Sequence, residues 1–132
     1  RAAVFQGDRI LLVREPKGWA LPGGWVDVDV SVRENVIKEV REEAGLEVRP
    51  DRVIALQDGE NHHETVYPWK VCIVFVLCTL LGGEFRENLE TSESGWFSLN
   101  ELPELDLEKT TPEQLRMCFE ARRAEHWETR LE

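Results

Sequence analysis

Apolar and polar positions along this chain fall into short blocks with two different periods. Ala2–Phe5 and Arg9–Arg14 are apolar, β-branched runs joined by Gln6-Gly7-Asp8, a pattern that predicts a hairpin. Val53–Gln57 and Trp69–Leu81 predict further strands, Gly82-Gly83 a break, and Trp96-Phe97-Ser98 a short last strand. Residues 31–44 have helical spacing instead: at about 100° per residue, Val32, Val36, Ile37, Val40 and Ala44 share one arc. Ser31 and Glu34 have the spacing of a capping box, and Gly45 stands where a terminal left-handed glycine belongs. A second helix is expected from Thr111, with Thr111 as N-cap, Pro112 in the first turn and Gln114 completing a box. Leu115, Cys118 and Phe119 give it one apolar stripe. Between hairpin and first helix, Glu15–Gly24 is a loop with two prolines and three glycines. The order predicts an α/β chain with a mixed sheet and few helices, either α+β or a three-layer α/β/α sandwich.

Composition narrows the picture. The 132 residues suit one compact domain, 1–132, and the 42% hydrophobic content supports a real core. The longest apolar run, Val71–Cys78, is a strand's length, far below the ~20 residues of a membrane span. With 26 acidic against 16 basic side chains the net charge is −10, which argues against duplex nucleic acid and suits a protein that gathers cations. Cys72, Cys78 and Cys118 form no CxxC, and six strand residues place the first two ~20 Å apart, too far to bridge. They read as buried free thiols of a cytoplasmic protein. The chain opens at Arg1 with neither Met nor a signal-like run, as the C-terminal part of a longer polypeptide would.

The first helix carries an unusual number of carboxylates. Glu39, Glu42 and Glu43 are related by i, i+3 and i+4, and Glu43 projects between Val32 and Val36, almost inside the apolar stripe. Like charges at this spacing repel, a carboxylate at a core edge is costly to desolvate, and a helix C-terminus disfavours anions. Mg²⁺ or Mn²⁺ would turn that repulsion into coordination by hard oxygen ligands. On the helix alone, a solvated acidic face softened by Lys38 and Arg41 is the simpler reading. The preceding loop changes the balance: Gly23-Gly24 lets the backbone approach a ligand, and the Gly24 carbonyl offers one more oxygen.

Taken together, Gly24 and Lys38-Glu39-Val40-Arg41-Glu42-Glu43-Ala44-Gly45-Leu46 closely resemble the Nudix box. That motif is Gly, five residues, Glu, seven residues, then Arg-Glu-aliphatic-any-Glu-Glu-any-Gly-aliphatic. Leu21-Pro22-Gly23-Gly24-Trp25-Val26-Asp27 and Gly95–Leu102 are also typical of the family, so the resemblance covers nearly the whole chain. Two positions depart from it: Val30 replaces the first Glu and Lys38 the Arg, both of which mainly support loop and helix in the family. Losing both together strands no charge, and Asp27 and Asp29 remain nearby. The same two departures, with Glu90-Thr91-Ser92-Glu93, resemble the branch described as ADP-ribose or CDP-choline pyrophosphatases, which carries a helical N-terminal domain before the Nudix domain.

The resemblance implies an α/β/α sandwich and Mg²⁺- or Mn²⁺-dependent hydrolysis of a nucleoside diphosphate linked to a second moiety. It makes Glu39, Glu42 and Glu43 metal ligands, with Gly24 and Glu90 as further ones and Glu43 or Glu90 as the base. Glu90, six residues ahead of Trp96, is preferred for this over Glu93. Arg14, Trp25, His62 and Tyr67 are the expected substrate contacts: Arg14 for phosphate or equally for a surface carboxylate, Trp25 as a pocket wall, one of the adjacent His62 and His63 in the pocket, and Tyr67 for stacking on a base. Trp69 is assigned to packing, Trp19 and Trp96 to structure, and Trp127 to covering the domain or docking on a missing segment. Two rival functions stay open: a nucleotide-binding sensor without turnover, and a nucleoside triphosphate pyrophosphatase. The expected partner is a small-molecule nucleotide, without duplex nucleic acid or membrane, and a homodimer is compatible with all of this.

Overall fold

The computed structural model describes residues 1–132. It contains strands β1 (Ala2–Gln6), β2 (Arg9–Glu15), β3 (Gly18–Ala20), β4 (Leu46–Asp58), β5 (Cys72–Gly83), β6 (Glu93–Phe97) and β7 (Arg130–Leu131), with helices α1 (Val32–Ala44) and α2 (Pro112–Arg123). The seven strands form one mixed sheet in the order β3-β2-β1-β5-β4-β7, and β6 pairs with β2. At its centre β1 runs parallel to β5, with Ala2 opposite Val76 and Val4 opposite Cys78.

Both faces of this sheet are covered, and strand alternation sorts side chains between them. Ala3, Phe5, Ile10, Leu12, Phe75 and Leu77 pack with Leu115, Cys118 and Phe119 of α2. Their neighbours Ala2, Val4, Leu11, Val13, Val76 and Cys78 pack with Val36, Val40 and Ala44 of α1. The result is the expected α/β/α sandwich. Both capping boxes form, at Ser31–Glu34 and at Thr111–Gln114. Gly45 closes α1 at φ 67°, and its N–H donates to the Arg41 carbonyl. Trp127 packs against the core and its Nε1–H donates to the Ile54 carbonyl at 3.0 Å. No helix is long and apolar enough to cross a membrane.

Several boundaries differ from the sequence expectation. The predicted loop 15–24 contains β3, three residues held by pairing with Val13–Glu15. β4 starts at Leu46, well before Val53, because three register shifts against β5 interrupt its alternation. β5 begins at Cys72, beyond Trp69, and β6 at Glu93, ahead of Trp96. Cys72 is exposed, unlike the buried Cys78 and Cys118; none of the three is paired.

Candidate active site

Helix α1 places Glu39 and Glu43 one turn apart at the edge of its buried stripe, 9% and 2% exposed. Glu90 reaches them from the connection between β5 and β6. One carboxylate oxygen from each of the three lies within 4.8 Å of the others. Gathering anions away from water raises their proton affinity. Burial is the main cause of Glu43 being pushed up to about 8, with the Glu39 and Glu15 charges adding and the Gly23 amide opposing. Glu39 is also raised, first by burial, with Lys38 opposing and Glu42 and Glu90 adding.

This donor set fits a divalent cation. The three groups are hard oxygen donors gathered within 4.8 Å of one another, and the Lys38 ammonium stands 3.9 Å from Glu39 Oε1. The Gly23 N–H donates to Glu43 Oε2 at 3.1 Å and fixes that carboxylate. A Cβ at position 24 would lie 2.7 Å from Glu39 Oε1, so any side chain there would displace the carboxylate from the cluster.

A cavity of about 350 Å³ opens beside the cluster. The glycine loop, Val32, Asn35, Val36 and Glu39 of α1, the start of β5 and the 59–71 segment line it. Glu39 belongs to both the cavity wall and the carboxylate cluster. At the mouth Trp25 meets Tyr67 edge to face, with centroids 5.6 Å apart, and Tyr67 stacks on Trp69 at 6.0 Å.

Gly24, Trp25, Tyr67 and Glu39 line this cavity, Glu43 and Glu90 join Glu39 in the cluster beside it, and other expected residues lie outside both. Glu42 lies on the solvent side of α1, half-exposed, with its carboxylate 3.7 Å from Lys38. Arg14 is spent on an exposed ion pair with Glu93, its register partner across β2 and β6. His62 turns away from the cavity and meets Glu132 at 2.6 Å. Its neighbour His63 lines the cavity instead, as opposite-facing neighbours in an irregular segment allow. Trp69, assigned above to packing, is 58% exposed because the strand it was placed in begins three residues later.

Sequence reasoning missed Asn35 and did not choose His63 over its neighbour His62. Asn35 is buried on α1 and clamps the loop, its Nδ2 donating to the Trp25 carbonyl and its Oδ1 accepting from the Asp27 amide. A polar residue on the apolar arc of a helix was the available signal. His63 is held by the Leu107 carbonyl at Nδ1 and by Gln114 at Nε2, contacts that only the folded chain creates.

The NUDIX domain family matches residues 1–118, most of the chain. The chain belongs to the Nudix family. A solved Nudix relative, an ADP-ribose pyrophosphatase from Streptococcus suis, is 57% identical, with a TM-score of 0.92 covering 100% of this chain and 96% of that one. A solved UDP-X diphosphatase is 30% identical with a TM-score of 0.89, over 100% of this chain and 64% of that one. YjhB of Bacillus subtilis is 37% identical over 122 residues, 91% of this chain, which spans only 59% of YjhB. Within the Nudix box, the two departures are reconciled locally. Lys38 Nζ pairs with Asp27 Oδ2 at 2.6 Å, so the cation that replaces the family arginine has a partner without a glutamate at position 30.

Proposed function

We propose that this Nudix domain hydrolyses the diphosphate bridge of a nucleoside diphosphate linked to a second moiety, releasing a nucleoside monophosphate and the phosphorylated moiety. ADP-ribose and CDP-choline are the substrate types in view. The observation that carries the reading is the double membership of Glu39, which joins a nucleotide-sized cavity to the converging carboxylates.

Glu39, Glu43 and Glu90 would hold Mg²⁺ or Mn²⁺, with the Gly24 backbone packed against the Glu39 carboxylate and Glu42 on the solvent side of α1. When bound, such a cation neutralises diphosphate charge and acidifies a water molecule. The Gly23 amide keeps Glu43 directed at the cluster. Two carboxylates are placed to take the proton of the attacking water: Glu43, held by the Gly23 amide, and Glu90, which is exposed and can pass the proton to solvent. Trp25, Tyr67 and Trp69 offer flat apolar faces to a base or to the second moiety. The cations of the cavity wall are already engaged: Arg1 Nη1 donates to the Leu21 carbonyl and Lys109 pairs with Glu15 at 2.9 Å. That favours a diphosphate over a triphosphate, whose added charge calls for free Lys or Arg.

A product screen over ADP-ribose, CDP-choline and nucleoside triphosphates, with Mg²⁺, Mn²⁺ or chelator, tests the proposal. Monophosphate release should require the divalent ion. Glu39→Gln, Glu43→Gln and Glu90→Gln should each lower kcat/KM roughly hundredfold, and Glu42→Gln less, as ligand loss weakens cation binding. Wild-type turnover in Glu43→Gln at saturating Mg²⁺, or a triphosphate hydrolysed best, would refute the reading.

A further inference from the structure

The loop that carries Glu90 is tied to the last turn of α1. Asn88 Oδ1 accepts the amides of Glu90 and Thr91 at 3.0 and 2.9 Å, and the Asn88 N–H donates to the Thr91 carbonyl, so residues 88–91 close into an Asx turn. From this turn two donors reach a single acceptor on the helix: Thr91 Oγ1 lies 2.6 Å, and Asn88 Nδ2 3.2 Å, from the Glu43 carbonyl oxygen. That carbonyl is among the last four of α1, which an α-helix leaves without an internal partner. Asn88 Nδ2 also donates to Thr91 Oγ1 at 2.7 Å, so the threonine hydroxyl accepts one bond and donates the next. Thr91 is 1% exposed, a buried hydroxyl in a loop that is otherwise mostly solvated. On the far side of the turn, the Ser92 N–H donates to the Arg14 carbonyl and anchors the chain to β2.

We propose that Asn88 and Thr91 are positioning residues for the cation site, clamping the Glu90 loop onto the Glu43 carbonyl so that the Glu90 carboxylate stays with Glu39 and Glu43. The need for a clamp follows from charge. Three carboxylates within 4.8 Å repel, and Glu90 is the exposed member, the one that can swing into water. Its own side chain takes no part in the clamp, so the backbone of the turn sets its place. The residue being clamped is itself one of the three: Glu43 offers its carboxylate to the cluster and its carbonyl to the loop. Loop and helix therefore register on the same residue, and a shift of either changes the spacing of the ligands. This inference rests on the cation reading above and adds the groups that assemble the site.

The test measures Mn²⁺ binding to the full chain by electron paramagnetic resonance without substrate, alongside kcat and KM. Thr91→Val keeps the shape and removes the hydroxyl with both of its bonds, and should weaken Mn²⁺ binding by at least roughly three- to tenfold, a range that one such bond alone would give. Thr91→Ser restores the hydroxyl and should bind as wild type. Asn88→Ser keeps an acceptor for the turn but drops the Nδ2 donor, and carries the same expectation as Thr91→Val if that variant fails to fold. KM at saturating Mn²⁺ should stay within about twofold in all three, because the cavity is untouched. Unchanged Mn²⁺ affinity in Thr91→Val or Asn88→Ser, while Glu43→Gln and Glu90→Gln both weaken it, overturns the clamp and leaves the cation site standing. Unchanged affinity in Glu43→Gln and Glu90→Gln as well overturns the cation site and the clamp with it.

Discussion

The backbone amide of Gly23 donates to Glu43 Oε2 at 3.1 Å, joining the glycine loop to a carboxylate that burial holds at about 8. Unfolded, the same group titrates near 4.5. Between those values the folded chain keeps a proton that the unfolded chain has released, so stability falls as pH rises. Without metal, the melting temperature should therefore drop between about pH 5 and pH 8. Glu43→Gln should flatten that slope and melt above wild type at the alkaline end. Thermal scans in chelator across this range check it, and parallel profiles for the two proteins would contradict it.

Asn35 holds the glycine loop from the side of α1, through Trp25 and Asp27. Asn35→Ala leaves the part-buried Trp25 carbonyl and Asp27 amide without their side-chain partner, which should cost about 1 kcal/mol in denaturant unfolding. Because the freed loop lines the cavity, KM should rise as well. A stable variant with unchanged KM would show that the loop holds itself.

The aromatic mouth predicts a split between binding and chemistry. Trp25→Ala and Trp69→Ala remove stacking faces remote from the carboxylates, so each should raise KM roughly tenfold with a smaller change in kcat. Steady-state kinetics on the preferred diphosphate substrate decide this. A fall confined to kcat would mean these rings act on the reacting centre.

Lys38 is already paired with Asp27, so Val30→Glu alone introduces a carboxylate that competes for an occupied ammonium. Adding Lys38→Arg supplies a fork able to bond both acids. The double variant should melt above the single Val30→Glu variant, and a double-mutant cycle measures the coupling. Equal melting temperatures would remove it.

The sandwich was legible where local chemistry and period agree. Ser31, Glu34 and Gly45 bound α1 in the sequence as they do in the fold, and Thr111 and Gln114 do the same for α2. β3 was hidden because three residues become a strand only by pairing with β2. The long β4 was hidden by Pro50 and by bulges that break its alternation. Around the site, the convergence of Glu39 and Glu43 follows from helical spacing, whereas choosing His63 over His62 requires knowing how an irregular segment turns. Arg14 could be read for phosphate or for a surface carboxylate, and its cross-strand partner, Glu93, lies 79 residues away in the chain. Thr91 counted in the sequence only as part of the Glu90–Glu93 segment, and Asn88 gave no signal, because the carbonyl they meet is supplied by the fold.

Helix α1 also acts as a gauge. Val32, Asn35, Val36 and Glu39 follow one another along the cavity wall, and Glu43 stands one turn beyond Glu39, so a rigid rise of 1.5 Å per residue spans about 16 Å from Val32 to Glu43. A helix does not stretch, so under the proposed function the interval between the far cavity wall and the carboxylates is the same for every molecule that enters. On that reading substrates would be sorted by reach: a compound whose distinguishing group lies too near its diphosphate, or too far from it, could not satisfy both ends at once. Side chains on the 59–71 segment could then be exchanged to suit a different group without moving the carboxylates on the helix.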